Sequence, residues 1–529
     1  MILLLAIALA AALPQEDARK LVERLDADRI EDRDKAERDL EALGKDAVPE
    51  LRRVEATATG EHAIRLKRAL RRALLSDPLE EKLIVTVDPS KYPGRVIFSA
   101  DGHVAYTIGN RVALDGVPGE AFDSVDRFEF APDGRTLAVV ARRDGNGYAV
   151  VGRRTFGPYG ALGPAHTLAA FPIVFSADGR RFAFRVREEE LRYMVVDGKQ
   201  QGPYADVDHP VFSPDGVHVA YAANQGGEHR TRFYTVTGGK WFVVVDGKLG
   251  EEFDSVGLTT DEVFPIASPV FSPDSRRMAY AAKENKRQFV VVDGKKQAEA
   301  DSILGLRFSP DSRHLAYTAT TNDRSTVVLD GRPQGDFDAT VFDTAFSPDG
   351  SRFAFSASTG PKKWAIVVNG VKGDDYEMAG TPCFSADGER LAFIGRTGQK
   401  RFIVVDGTPG PEFDFVGTPT FDPDGKDVSY VARNTGKYVV VHDGLPGEIF
   451  DLILTEESFF PVPLTRSPKS SALLYRAKQG EEWFVVMGDR KIGPFDYVWR
   501  PRFSADGRKA MFGARKGGEL WWKVVDAAQ

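Results

Sequence analysis

From about residue 95 onward one hydrophobic pattern recurs along the chain. A short apolar step runs into F-S-[P/A]-D-[G/S], and an alternating run such as "RRFAF", "SRFAF" or "RHLAY" follows at once. Alternation of polar with aromatic or aliphatic residues predicts a half-buried strand. In S-P-D-G the proline presets φ for the second position of a type I turn and the glycine suits the fourth, so the pentapeptide is a tight reversal between strands. Next comes a continuous apolar run, V-V-V-D-G or a relative, which predicts another strand; its Asp-Gly favours the positive φ angles of a two-residue hairpin. A third signal, F-D-x-V, closes the pattern at Phe122-Asp123, Phe253-Asp254, Phe413-Asp414 and Phe495-Asp496. One unit is therefore four short strands joined by turns.

The turn aspartate counts the units. It stands at Asp101, Asp133, Asp178, Asp215, Asp274, Asp311, Asp349, Asp387, Asp424 and Asp506, and a degenerate copy, "RSPKS", puts Lys469 in the same slot. Eleven four-stranded units of this size are the signature of a β-propeller. The "FSPDG" turn followed by an "AY" or "AF" strand resembles the TolB-like and WD-repeat-like propeller repeats, over about residues 81–529. The resemblance implies an all-β propeller and leaves function open, because the fold hosts many activities. Typical propellers have about 4–8 blades, so two rings are expected, with one large ring as the alternative. The last unit, "FSADGRKAMFGARKGGELWWKVVD", stops after its third strand. "KLIVTVD" at 82–88 is expected to supply the fourth and remove an exposed edge.

Residues 1–80 read differently. "MILLLAIALAAALPQEDA" carries a twelve-residue apolar run with small residues, too short for a bilayer and suited to a secretory signal peptide over 1–13. Export to the periplasm or the exterior of a bacterial cell envelope is the expected localisation. Residues 14–80 place apolar residues at helical spacing (Leu21, Leu25; Ala36, Leu40, Leu43; Val48, Leu51), with a further helix expected over 61–76. "R-x-K-A-x-x-x-L-x-x-L-G-x-x-A-V-P-x-L" resembles a HEAT-like helical hairpin, a small all-α segment ahead of the propeller. Its basic stretch, "RLKRALRR", sits among fifteen basic and seventeen acidic residues over 14–80, which reads as a solvated helix face.

Composition adds few constraints. A net charge of −7 gives no electrostatic reason to expect nucleic acid. The lone cysteine, Cys383, excludes an internal disulfide and reads as a buried structural thiol. No G-x-S-x-G, H-E-x-x-H, C-x-x-C or P-loop occurs, and the eight histidines show no ligand spacing. The recurring aspartates belong to turns, whereas a catalytic pair should be unique. "DPDGKD" at 422–427 is another such turn and lacks a calcium-loop pattern. Neither catalytic residues, nor metal, nor cofactor are expected.

Insertions are unevenly placed. In a four-stranded blade the first-to-second and third-to-fourth turns share one face, and the second-to-third turns and blade connections share the other. The uniform S-P-D-G and D-G turns are on the first face. Long connections at 160–175, 254–271 and 451–466, and an excess of about twelve residues around 224–240, fall on the second. The three connections each carry Phe-Pro and an aliphatic residue: Phe171-Pro172-Ile173, Phe264-Pro265-Ile266 and Phe460-Pro461-Val462. Proline lowers the entropy lost on ordering and phenylalanine offers apolar area. A stiff aromatic rim for a protein or glycan partner is one reading; phenylalanines folded down to plug a channel are the other. The expected function is an exported, non-enzymatic binding scaffold without nucleic-acid partner or transmembrane span. The alternatives are a hydrolase or lyase working in a central funnel, and a structural envelope protein.

Overall fold

The computed structural model describes residues 95–526 apart from 100, 163–171, 231–234, 258–268, 338–341, 455–463, 469, 489 and 505. It also describes residues 80–86, residues 19–25 and single helical positions between 32 and 66. The fold is an all-β propeller of eleven four-stranded blades, with a small helical piece at the N-terminal end. In chain order the blades are 1 (96–121), 2 (124–159), 3 (161–204), 4 (206–249), 5 (255–300), 6 (302–337), 7 (342–372), 8 (378–409), 9 (415–450), 10 (452–495) and 11 (497–526 with 80–86). Blade 6 is typical: Ser302–Phe308, Leu315–Thr321, Arg324–Leu329 and Arg332–Phe337 pair antiparallel with their neighbours in sequence order.

Two compact units divide the chain: Met1–Pro89 with Gly436–Val439 and Glu448–Gln529, and Ser90–Thr435 with Val440–Gly447. Within the first, Val22, Leu25, Ala36, Leu40, Leu51 and Leu66 form a buried helical cluster, so the i, i+4 spacing of Ala36 and Leu40 marks an inward stripe. Leu43 and Val48 lie outside the described residues. In the same unit Glu80–Thr86 pairs antiparallel with Glu519–Asp526, from Glu80 opposite Val524 to Thr86 opposite Glu519. The expected closing strand is thus in place as the fourth strand of blade 11.

The second unit holds blades 1 to 8 and most of blade 9. Here the expectation of half-buried second strands is corrected. Phe182, Ala183 and Phe184 are all buried, as are Ala279, Tyr280, Ala281 and Ala282. The reason is stacking: Ala281, Val290 and Val292 of blade 5 pack with Ile303, Leu315 and Tyr317 of blade 6, while Ala282, Phe289 and Val291 of blade 5 pack on blade 4 through Ala222 and Val243. A strand between two neighbours buries both faces, and its polar-looking alternation is really large against small, aromatic against alanine. Outer edges are guarded instead. Pro118, Pro158, Pro203, Pro333, Pro409, Pro446 and Pro494 all lie in fourth strands, where a missing N–H blocks further pairing.

Candidate functional site

On the face carrying the S-P-D-G turns the repeated carboxylates are fully employed. Asp178 accepts hydrogen bonds from the Ser176 hydroxyl at 2.6 Å and the Arg180 amide at 3.1 Å. Asp215, Asp274, Asp349 and Asp506 repeat the arrangement with Ser213, Ser272, Ser347 and Ser504, and Asp311 and Asp387 with Ser309 and Ser385. These bonds favour the charged form: the Ser347 hydroxyl and Ser351 hold the Asp349 carboxyl at about 2. In blade 2 alanine replaces serine, and Asp133 takes the Thr136 hydroxyl at 2.6 Å instead. In blade 1 the Ser99 hydroxyl accepts from the amides of Asp101 and His103, and Asp101 pairs with Arg135 of blade 2 at 2.9 Å.

A second clip joins this turn to the D-G hairpin and to the next blade. Arg181 Nε donates to Asp197 at 2.8 Å, and its Nη1 reaches the carbonyls of Gly216 and Val217 in blade 4. Arg352 and Arg390 make the same reach to Gly388 and Glu389, and to Gly425 and Lys426. His103, His218 and His314 occupy this same repeat position, each with Nδ1 2.6–2.7 Å from the D-G aspartate, Asp115, Asp246 and Asp330. Three of the eight histidines are therefore repeat parts. Counting from the preceding serine, five residues to His218 and His314 and four to His103 in the shorter turn of blade 1, would have shown it.

On the opposite face the F-D aspartate is a clip as well. Asp254 accepts from Lys240 Nζ at 2.7 Å and from the amide of Asn285 at 2.9 Å, joining blade 4 to the second-to-third turn of blade 5. Asp414 does so with Lys400 and Thr435.

Departures from the repeat in length are on this opposite face. Phe171, Phe264, Pro265, Phe460 and Pro461 lie outside the described residues; Pro172 is half-buried. Blade 4 carries a long hairpin in which Val219–Arg230 pairs with Thr235–Val245 as far as Arg230 opposite Thr235. At its base Gly226, Gly238 and Gly239 have φ of 74°, 72° and 70°. The fully buried Asn224 accepts from Gly227 N at 3.1 Å and donates to Gly238 O at 3.2 Å. A Cβ on Gly239 would stand 2.4 Å from the Gln225 carbonyl, so glycine is required.

One further cluster stands apart at the junction of blades 3 and 4. Arg185 donates to the Val207 carbonyl at 2.7 Å and lies 4.0 Å from Asp208. Burial, then the Arg185 charge, pulls the half-buried His209 imidazole below its ordinary value, towards the neutral form. In blade 10, Arg476 makes the corresponding bond to the Val498 carbonyl at 3.0 Å. A guanidinium on this carbonyl is thus a device used twice, and only Asp208 and His209 are particular to blade 4. Cys383 is half-buried and burial raises its thiol. Among the described residues no group of three or more His, Cys, Asp or Glu side chains is placed to hold a metal ion, and no helix is long and apolar enough to cross a membrane. No protein-family model matches the chain, and no curated protein matches it.

Proposed function

We propose that the chain is an exported, non-enzymatic β-propeller scaffold that binds a protein or glycan partner in a bacterial cell envelope. Its binding face is the one formed by the second-to-third hairpins and blade connections. The observation that carries this reading is the blade 4 hairpin, twelve residues against eleven, built on a glycine base with a buried asparagine. The face with the S-P-D-G turns repeats its clips at uniform length, whereas this face, beside its own F-D clips, carries the extended hairpin, and binding residues concentrate on such loops over a rigid scaffold. The likeness of the repeats to TolB-like and WD-repeat-like sequences, of residues 14–80 to a HEAT-like hairpin, and of residues 1–13 to a signal peptide supports an exported scaffold.

The deciding experiment is crosslinking and affinity capture from the native envelope. Wild type is compared with a variant in which residues 226–239 are replaced by a two-residue turn, and with the triple variant Phe171→Ala, Phe264→Ala, Phe460→Ala. A partner captured by wild type and lost from either folded variant supports the binding face. Equal capture by all three, or none, removes it. The Arg185, Asp208 and His209 cluster favours a second reading as an enzyme; hydrolytic activity abolished by His209→Ala in a folded protein would replace the scaffold reading.

A further inference from the structure

Nine of the eleven blades place a serine two residues before the turn aspartate or its equivalent: Ser99, Ser176, Ser213, Ser272, Ser309, Ser347, Ser385, Ser467 and Ser504. This hydroxyl has two tasks. Ser385 accepts the Arg390 amide at 2.9 Å and donates its own proton to Asp387. Ser176 and Ser213 do likewise for Arg181 and His218, and for Asp178 and Asp215. Blade 9 puts Asp422 in the slot, only 5 % exposed. The accepting task survives: Asp422 Oδ1 takes the Asp427 amide at 3.0 Å. The donating task falls on a side chain whose ionised form has no proton to give, and its partner Asp424, beside it, is itself a carboxylate.

We propose that Asp422 keeps a proton in the folded chain and donates it to Asp424, making the blade 9 turn an acid-dependent lock that loosens when Asp422 ionises. On ionisation the proton leaves to solvent, and one hydrogen bond is replaced by two like charges across the same contact. Two carboxyls that share a contact do not both ionise readily when one of them is buried. In this pair Asp424 is the member held charged, since Lys426 lies 3.1 Å from it; burial pushes the Asp422 carboxyl up, the Asp427 amide bond opposes this, and Asp424 and the Asp427 charge add to the rise.

The other charges around the turn leave this assignment in place. From the third strand of blade 9, His442 faces Asp427 at 3.7 Å and shares its Nδ1 with the Ser429 hydroxyl at 2.8 Å. From blade 8, Arg390 reaches the Gly425 and Lys426 carbonyls, but its Nε is paired with Asp406 at 2.7 Å. Asp387 Oδ2, 3.3 Å from where a Cβ on Gly425 would stand, adds negative charge. Position 427 reinforces the contrast. The corresponding Arg181, Arg352 or Arg390 carries a guanidinium, whereas Asp427 adds a third acid.

The sign follows from linkage. A carboxyl whose affinity for the proton is higher folded than unfolded contributes stability that is complete below the unfolded value and lost as pH rises through the folded one. Hydrogen exchange of residues 421–428 in the full chain, corrected for intrinsic rate and compared at about pH 4 and about pH 8, reads the lock. Protection in wild type is expected to fall on the alkaline side, roughly tenfold per unit by which the folded pKa exceeds the unfolded one. Asp422→Ser restores the repeat, and Asp422→Asn supplies an amide that donates at every pH; both are expected to stay protected at either pH. The corresponding segment of blade 8, with Ser385 in the slot, is expected to show no such fall. Wild-type protection that does not change with pH overturns the proposal, as does an equal change in the Asp422→Asn variant or in blade 8.

Discussion

A serine hydroxyl is the leading influence that lowers Asp178, Asp215, Asp274, Asp349, Asp387 and Asp506. At Asp349 the Ser347 hydroxyl is the leading cause of the depressed value, so Ser347→Ala is expected to move the carboxyl back toward the ordinary range. The sign is opposite to that of Asp422. Stability from Asp349 is present above the unfolded pKa and lost as pH falls through the folded one. A carboxyl-detected NMR titration of wild type and variant measures the shift, and an unchanged midpoint would assign the depression to the Ser351 hydroxyl and amide instead. Residue identity also carries the cores. Phe355 and Tyr317 are buried between blades, and Phe355→Ala should lower stability by about 3–5 kcal/mol in chemical denaturation, from lost transfer energy and the cavity left behind.

At the scale of the element, the blade 4 hairpin is the feature most open to test. Gly239→Ala puts a Cβ against the Gln225 carbonyl and the Gly227 amide, and asks alanine to adopt a φ of 70°. Its expected effect is local, with faster hydrogen exchange over 227–230 and 235–238 and little change in blades 1 to 3. A uniform loss of protection would instead make the hairpin part of the global folding unit. The excess length of this hairpin was legible in the sequence as extra residues around 224–240. Its glycine base was not, because a bend of both strands at one level requires Gly226 and Gly239 to face each other, and register is a property of the pair. The same limit applies to the clips. "FSPDG" and its variants marked the turn aspartates, but not that Arg181 would reach the carbonyls of Gly216 and Val217, some 35 residues away. That three of the histidines share one repeat position was not legible either, because the blade 4 insertion and the shorter blade 1 change their spacing to the D-G aspartate.

For the whole molecule the closing strand is the element that ties distant parts of the sequence together. Deleting residues up to 86 removes the ladder between Glu80–Thr86 and Glu519–Asp526, roughly six hydrogen bonds at about 0.5–1.5 kcal/mol each. The deletion also leaves the third strand of blade 11 as an open edge. A lower melting temperature and concentration-dependent association are expected, measured by calorimetry and light scattering; an unchanged melt would show that blade 11 holds without its fourth strand. The sequence by itself determined the number of blades, their four-strand order and the source of this last strand. Those features rest on φ preferences and hydrophobic period, which act within a few residues. Only the tertiary structure decided that second strands are buried on both faces and that arginine and lysine clip blade to blade. These depend on which side chains stacking brings together from one repeat to the next, and no local preference encodes that partner.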